Sequence, residues 1–261
     1  MVVLTKHAIF QAAKGMVAIL LFLTAWEIAA ILIDNPYILP RLGPILQVLV
    51  HPAAPVLGGA TLIENAIVSV REVLTGFAIA AAIAIPLGLL VGTFPEVDSY
   101  LNSLIQLLRP VPPIAWVPFA IAWFGIGFHS IIFIIFIGAF FPILINTIDG
   151  VHGVRREWTD VARMFRATPQ ENVRTVVLPG AMPVLWTGLR VAFGVAWMCV
   201  VAAEMLPGAT AGLGFMIMYA YNLGQLQVIG AGMVVIGLIG LGADILFRAG
   251  QARFFHWQGR A

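Results

Sequence analysis

The sequence predicts an all-α membrane protein with six transmembrane helices and both termini in the cytoplasm. Its 261 residues are 61% hydrophobic and only 10% charged, whereas a soluble domain is about a quarter charged. The apolar residues fall into six runs of roughly the length that crosses a bilayer. Lysine and arginine are concentrated at alternate junctions between these runs, as expected for residues retained on the cytoplasmic side.

The first apolar run covers residues 15–33, which is long enough to span a membrane at about 1.5 Å per residue. A signal peptide is the alternative, but the run is long for one, contains Glu27 and precedes no convincing cleavage site. Residues 34–61 contain five prolines and few charges. This composition predicts an outer loop with a short surface helix.

The second span is predicted at residues 74–91, preceded by a mildly amphipathic stretch at 62–73. Gly88 and Gly92 form a G-x-x-x-G pair within it. Small residues at this spacing let helix backbones approach closely in lipid. The alternative is a chance pair in a glycine-rich chain.

Prolines interrupt the third run, which extends from about Tyr100 to Gly125. Residues 109–113 read Arg-Pro-Val-Pro-Pro, and proline removes a backbone donor and clashes with the preceding turn. Broken backbone at membrane depth is tolerated only when it is buried in protein or faces a cavity. We therefore expect Pro112, Pro113 and Trp116 to line a translocation path. Alternatively, the helix begins near Pro113 and the preceding segment lies at the interface.

The last three spans are predicted at residues 130–148, 183–206 and 228–246. A polar segment, 151–182, separates the first two of these, and a glycine-rich connection, 207–227, separates the last two. With the N-terminus inside, ten basic residues lie on the inner side and Arg41 lies on the outer side. The inner residues are Lys6, Lys14, Arg155, Arg156, Arg163, Arg166, Arg174, Arg248, Arg253 and Arg260, while Arg71, Arg109 and Arg190 lie in or beside spans.

The polar segment predicts two short helices on the cytoplasmic side. Trp158, Val161, Ala162 and Phe165 recur at i, i+3, i+4 and i+7, which places them on one face of a helix. The charged residues lie on its other faces. A short helix with this division predicts half of a compact knob that enters a groove on a soluble partner.

The second helix of the polar segment has a complete start signal. Thr168 is a predicted N-cap, Pro169 is the first helical residue and Glu171 completes a capping box. Val173, Val176 and Val177 supply an apolar face, and we expect Pro179 to end the helix.

The polar segment resembles the cytoplasmic loop of the inner-membrane permease subunits of ABC importers. The pattern of that loop is E-A-A-x3-G-x9-I-x-L-P, and this sequence matches its spacing without a gap. Asp160 stands at the Glu, Arg166 at the Gly and Val176 at the Ile, while Leu178 and Pro179 match outright. Other stretches resemble the subgroup that imports nitrate, sulfonates, taurine and thiamine precursors: 85–88, 109–113, 123–127, 178–183, 188–190, 203–205 and 212–214.

The resemblance implies a type I importer fold in a single permease domain, residues 1–261, in a prokaryotic inner membrane. Within it, residues 1–61 form the first span and outer loop, 62–250 the core, and 151–182 the loop that couples to ATPases. It further implies a homodimer, two cytoplasmic ATPase subunits that bind ATP and magnesium, and an extracellular protein that delivers a small polar or anionic solute. The implied coupling residues are Asp160, Val161, Ala162, Arg163, Arg166, Ala167, Thr168, Leu178 and Pro179.

Arg166 departs from that pattern. The glycine of the family would end the first helix in a left-handed conformation, which costs a non-glycine residue on the order of 1 kcal/mol. We therefore predict a negative φ at Arg166. The five arginines of the loop either face acidic groups of a partner or follow the positive-inside rule alone.

Ionisable and bulky residues inside the spans are further candidates. Trp197 and Met198 lie mid-span and could line the path. Glu204 could cap a backbone turn, support an outer gate or touch solute. Arg190 and Asp244 lie near cytoplasmic span ends, where ion pairs with unassigned partners are expected.

Several function classes find no support in the sequence. It has no nucleotide-binding loop, nucleophile–base pair or metal-ligand cluster, so we expect no enzyme activity or cofactor in this chain. His129 and His256 suggest no metal site, the single Cys199 allows no intrachain disulfide, and no basic face predicts nucleic-acid binding. A secondary transporter or channel remains the alternative function, but it would be expected to show internal repeats and embedded ionisable residues.

Overall fold

The computed structural model describes the backbone of residues 2–56 and 59–255, with side chains from residue 14 onward. The side chain of Lys6 and all of His256 and Arg260 lie outside the described residues. The described chain is helical almost throughout. Its helices are α1 (Val2–Ile33), α2 (Leu42–Val50), α3 (Leu62–Thr93), α4 (Pro95–Leu108), a 3₁₀ turn (Pro113–Trp116), α5 (Val117–Phe124), α6 (Phe128–His152), α7 (Arg156–Met164), α8 (Pro169–Asn172), a π turn (Val173–Val177), α9 (Leu178–Glu204), α10 (Leu213–Asn222) and α11 (Leu226–Phe254).

Five helical segments in the described chain are long and apolar enough to cross a membrane. They are Lys14–Ile33, Leu62–Thr93, Phe128–His152, Pro169–Glu204 and Leu226–Phe254. A sixth span arises only if Pro95–Leu108 and Pro113–Phe124, which are bent by 89°, are counted together. The all-helical membrane class is therefore confirmed, while six spans with cytoplasmic termini stay a prediction.

The proline-rich break separates two helices. Pro110 and Pro112 lie between α4 and the 3₁₀ turn, and the turn itself begins at Pro113. None of the residues of α4 is buried. Helix α4 has 14 residues and α5 has eight. At about 1.5 Å per residue, neither helix is long enough to cross the membrane alone.

Helix α3 is a single 32-residue helix, so the two predicted segments at 62–73 and 74–91 are continuous. A Cβ atom added to Gly88 would lie 2.6 Å from Cβ of Thr147, and one added to Gly92 would lie 2.8 Å from Cβ of Val151. These distances are below van der Waals contact, so both glycines sit where α3 presses on α6. The G-x-x-x-G pair is thus a packing site.

Helices α6 and α9 pack antiparallel. Gly138 of α6 meets Cys199 of α9, where an added Cβ would lie 2.6 Å from Sγ. Near the C-terminal end of α6, Gly150 meets Ala181 of α9, whose carbonyl oxygen would lie 3.0 Å from a Cβ added to Gly150. Glycine on α6 at both ends therefore lets the two backbones approach along most of their length.

Two compact units make up the described chain. One comprises the described part of residues 1–64 with Met216–Val235. Within it, the N–H of Leu42 donates to Glu27 Oε2 at 2.8 Å, so the carboxylate in the first span caps the predicted surface helix, which is α2. The indole N–H of Trp26 donates to the Pro40 carbonyl at 3.0 Å.

The second unit comprises Asn65–Phe215 and the described part of 236–261, and it contains the polar segment. Here Asp244 accepts from Arg190 Nε at 2.5 Å and from Arg248 Nε at 2.7 Å. Arg190 and Asp244, whose partners could not be assigned from the sequence, therefore pair with each other, and Arg248 is a second partner of Asp244. This triad ties α9 to α11.

The connection predicted at 207–227 contains α10, a helix that the sequence analysis did not predict. Glycines at 208, 212, 214 and 224 obscured the apolar run between them. Gly212 has φ +114°, a backbone conformation that glycine adopts readily and other residues rarely adopt. It immediately precedes the first residue of α10, Leu213.

Candidate functional site

Helix α7 forms the first half of the polar segment. Trp158 is half exposed and packs toward the start of α9, where a Cβ on Gly180 would lie 3.7 Å from its ring. Val161 is also half exposed, and Met164 and Phe165 are each 84% exposed. The apolar face predicted from spacing therefore exists: Ala162 is partly buried, Trp158 and Val161 are half exposed, and Phe165 is largely uncovered.

The prediction for Arg166 is wrong, because this residue has φ +60°. The N–H of Ala167 donates to the Ala162 carbonyl at 3.1 Å, and that of Arg166 donates to the Arg163 carbonyl at 2.9 Å. These two bonds are those of the Schellman motif, with Arg166 at the position where glycine is usual. Each bond contributes about 1 kcal/mol, which offsets a left-handed strain of about 1–2 kcal/mol.

The capping box of α8 is confirmed. The N–H of Thr168 donates to Glu171 Oε2 at 2.7 Å, and the N–H of Glu171 donates to Thr168 Oγ1 at 3.3 Å. Pro169 is the first residue of α8. The junction between α7 and α8 is consequently fixed by hydrogen bonds on both sides, through the Schellman motif and the capping box.

The prediction that Pro179 ends the second helix is wrong. The chain runs from α8 through the π turn directly into α9, so the helical run is continuous from Pro169 to Glu204. The N–H of Leu178 donates to the Val173 carbonyl, five residues back. This widened turn shifts the hydrogen-bond pattern just before Pro179, which has no N–H to donate and stands in the first turn of α9.

A buried apolar cluster supports the polar segment. Val151 of α6, Val177 of the π turn and Ala181 of α9 are buried together, with Leu89 of α3 and Val154 packed against them. Helices α7 and α8, residues 156–172, together form a protruding unit that we call the α7–α8 knob. Helices α3, α6 and α9 meet at its base. A displacement of the knob would act on all three.

The five arginines of the segment are exposed, at 155, 156, 163, 166 and 174. Arg163 contacts Asp160 at 3.4 Å across an exposed i, i+3 pair, an interaction worth little by itself. Asp160 and the exposed apolar residues lie on the same short helix. Seven of the coupling residues predicted from the sequence, between Asp160 and Thr168, therefore lie on α7 or at its junction with α8, whereas Leu178 and Pro179 lie in the first turn of α9.

The structure does not bring the predicted path residues together. Pro113 lines a cavity of about 460 Å³ with Arg109 and Asp149. Trp197 is buried and donates to the Ile236 carbonyl at 3.1 Å, whereas Met198 is 73% exposed. Pro112 is exposed beside the break, and Trp116 is partly buried.

Glu204 belongs to a buried polar cluster at the start of α10. Consecutive backbone N–H groups of Gly212, Leu213 and Gly214 donate to Asn65 Oδ1, Ser69 Oγ and Glu204 Oε2 at 2.9, 2.9 and 2.7 Å. Glu204 is only 1% exposed. Of the three roles considered for it, the geometry shows the capping role, in which it satisfies a helix start that would otherwise leave buried donors unpaired.

Asn65, Ser69 and Glu72 of α3 also belong to this region and were not predicted from the sequence. All three are buried, at 2%, 0% and 5% exposure. Their spacing of i, i+4 and i+7 marks one polar face of α3, and that periodicity was the available signal. Among the described residues, no group of three or more His, Cys, Asp or Glu side chains could hold a metal ion.

Comparison with known proteins agrees with this architecture. Residues 84–256 match the family described as binding-protein-dependent transport system inner membrane component. A relative from Methanocaldococcus jannaschii, named as an ABC transporter permease protein, is 50% identical over 201 residues, covering 77% of this chain and 74% of the relative. The taurine transport system permease protein TauC of Escherichia coli is 35% identical over 192 residues, covering 73% and 70%.

The bicarbonate transport system permease protein CmpB of Synechococcus elongatus is 42% identical over 144 residues, covering 55% of this chain and 52% of that protein. A chain of the MetNI methionine ABC transporter in an inward-facing conformation has the same fold. Its TM-score is 0.60 at 20% identity, with 72% of this chain and 95% of that chain covered. The resemblance noted in the sequence is thereby confirmed: this chain belongs to the family of inner-membrane permease components of binding-protein-dependent ABC importers.

Proposed function

We propose that this chain is the membrane-spanning permease subunit of an ATP-driven importer and that its α7–α8 knob docks into cytoplasmic ATPase subunits. One observation carries the proposal. The knob exposes Val161, Met164 and Phe165 on a short helix that is fixed at its C-terminal end by hydrogen bonds. An exposed apolar patch on a rigid, charged element favours a protein partner.

The energetics of the knob suit such a contact. Burying Phe165 or Met164 in a partner contributes about 2 kcal/mol for each side chain. The exposed arginines around them would meet acidic groups, which raise association rates and fix orientation. The cluster of Val151, Val177 and Ala181 would then pass the motion of the ATPase to the spans.

The remaining parts of the proposal follow the family. The whole chain forms one permease domain with six spans, the bent α4–α5 pair being one of them, and both termini in the cytoplasm. Two copies form the path in a prokaryotic inner membrane, and an extracellular binding protein delivers the solute. Relatives named for bicarbonate, nitrate and taurine transport favour a small polar or anionic solute. ATP and magnesium bind to the ATPase subunits.

Co-purification of an ATPase with the permease tests the docking surface. Phe165→Glu places a charge in the apolar patch, and Asp160→Lys reverses the charge beside it, so either should lower the amount of bound ATPase by tenfold or more, about 1.4 kcal/mol. Tyr100→Glu is the matched control, because the exposed fraction of Tyr100, 82%, is similar to the 84% of Phe165, and Tyr100 lies on α4, outside the knob. Unchanged ATPase recovery with both loop variants would contradict the proposed docking surface.

A secondary transporter or channel is the competing function. Such a protein would retain solute uptake in membranes that lack any ATPase subunit. Uptake by the permease alone, driven by an ion gradient, would therefore replace the proposed function.

A further inference from the structure

Two cavities lie side by side against α6. One, of about 450 Å³, is lined mainly by residues of polar type, which include Asp98, Asn102, Gln106 and His152. The other, of about 460 Å³, is lined mainly by residues of apolar type, which include Ile137, Phe141 and Val195. We refer to them as the polar cavity and the apolar cavity. Both are lined by Arg109, Ile145 and Asp149, so the two spaces meet at these residues.

The cavities together form a track along much of one helix. Their lining residues on α6 extend from Ile137 to His152, which is about 22 Å at 1.5 Å per residue. The opposite wall includes Arg109, Pro110, Val111 and Pro113 from the break between α4 and the 3₁₀ turn. Broken backbone facing such a space meets the condition under which irregular structure is tolerated at membrane depth.

Arg109 and Asp149 carry opposite charges at the meeting point of the cavities. Both side chains are exposed, and within the described part of the chain neither takes part in a salt bridge or a side-chain hydrogen bond. Charged groups within spans usually pair with each other or serve a path. The five N–H donors of an arginine fit the oxygens of a carboxylate, sulfonate or nitrate group.

Asn146 adds a polar group on the apolar side. It lines the apolar cavity one turn from Asp149, and its amide Nδ2 donates to the Pro142 carbonyl at 2.8 Å. Its Oδ1 accepts no hydrogen bond within the described chain. A molecule held between Arg109 and Asn146 would therefore meet a cation and an amide oxygen, with Asp149 available for a positively charged or donating end.

We propose that Arg109 is the oxyanion-contacting residue of the translocation path, at the meeting point of the polar and apolar cavities. The ligand class is a small oxyanion, such as a carboxylate, sulfonate or nitrate. Asp149 balances the charge of Arg109 when no ligand is bound. It also favours ligands that carry a cationic or hydrogen-bond-donating end. This inference rests on the proposed transport function, and it assigns a residue and a ligand chemistry to it.

Thiol reactivity tests the inference without knowledge of the solute. Asn146→Cys in a Cys199→Ala background is treated with two reagents of similar size, the anionic 2-sulfonatoethyl and the cationic 2-trimethylammonioethyl methanethiosulfonate. Each rate is divided by the rate of that reagent with a small thiol in solution. We expect Cys at 146 to react and to favour the anionic reagent after this correction.

Charge variants identify the source of that preference. Arg109→Gln should lower the corrected anion-to-cation ratio by about tenfold, because the two reagents respond to the lost charge in opposite directions. Arg109→Lys should keep the preference, and Asp149→Asn should raise it by a similar factor. A ratio unchanged in Arg109→Gln, or no reaction with either reagent, would overturn the inference.

ATPase co-purification from the same membranes separates this inference from the proposed function. If the ATPase binds and the charge preference does not depend on Arg109, only the role of Arg109 fails. If Arg109 controls the preference but no ATPase binds, the track stands and the coupling to ATP fails.

Discussion

Replacing Gly188 by alanine tests the close packing of α6 and α9 directly. A Cβ on Gly188 would overlap Cβ of Asn146 and lie 2.8 Å from its Cγ. Because a Cβ cannot rotate out of the way, the two helices would have to move apart. Overpacking of this kind costs about 1–3 kcal/mol, and we expect Gly188→Ala to lose about 2 kcal/mol.

Gly194 provides a matched control on the same helix. No atom lies within 4 Å of a Cβ added there, so Gly194→Ala should gain up to about 1 kcal/mol from helix propensity. In detergent, the melting temperatures of the two variants should therefore differ by about 4–12 °C, since 1 kcal/mol corresponds to about 2–4 °C for a chain of this size. Equal melting temperatures would refute the assigned contact between Gly188 and Asn146.

Three further predictions concern the knob, the ion-pair triad and the cap of α10. Arg166→Gly should relieve the left-handed strain and stabilise the α7 terminus by about 0.5–1 kcal/mol, seen as slower amide exchange at Ala167, whereas Arg163→Gly inside α7 should do the opposite. Arg190→Gln leaves Asp244 with only an exposed partner and should lower the melting temperature, while Arg248→Gln should lower it less because Arg248 is 65% exposed. A smaller loss for Arg190→Gln than for Arg248→Gln would contradict the triad. Glu204→Gln keeps an acceptor for the Gly214 N–H and should retain most of the stability. Glu204→Ala leaves this buried donor unpaired and should lose about 1–3 kcal/mol. Equal melting temperatures for the two variants would show that Glu204 does not act as a cap.

Local signals in the sequence predicted much of the fold. Apolar runs located the long helices, and Thr168 and Glu171 formed the predicted capping box because its two hydrogen bonds depend only on neighbouring residues. The apolar spacing of α7 also predicted which side chains share a face. It did not predict that Met164 and Phe165 are uncovered, since exposure depends on what the rest of the chain places nearby.

The failures have equally specific causes. Arg166 adopts a positive φ because two backbone hydrogen bonds outweigh a residue preference. Pro179 does not end a helix because a π turn accommodates it. The capping role of Glu204 depends on contacts with the start of α10, and its neighbours Asn65 and Ser69 come from more than 130 residues earlier in the chain. Local spacing marks Asn65 and Ser69 as one polar face of α3, but it does not show which distant segment that face contacts.

The continuity of the helix through Pro179 has a mechanical consequence. From Pro169 to Glu204 the run is 36 residues long, or about 54 Å at 1.5 Å per residue. It begins in the exposed knob and ends at the carboxylate that holds the start of α10. Such a rod acts as a lever: tilted about its midpoint by about 10°, each end would move by roughly 5 Å, in opposite directions. A small rotation imposed at the knob would thus be delivered as a displacement of several ångströms at the far end, less any bending at the π turn and at Pro183, which interrupts the hydrogen bonding of α9.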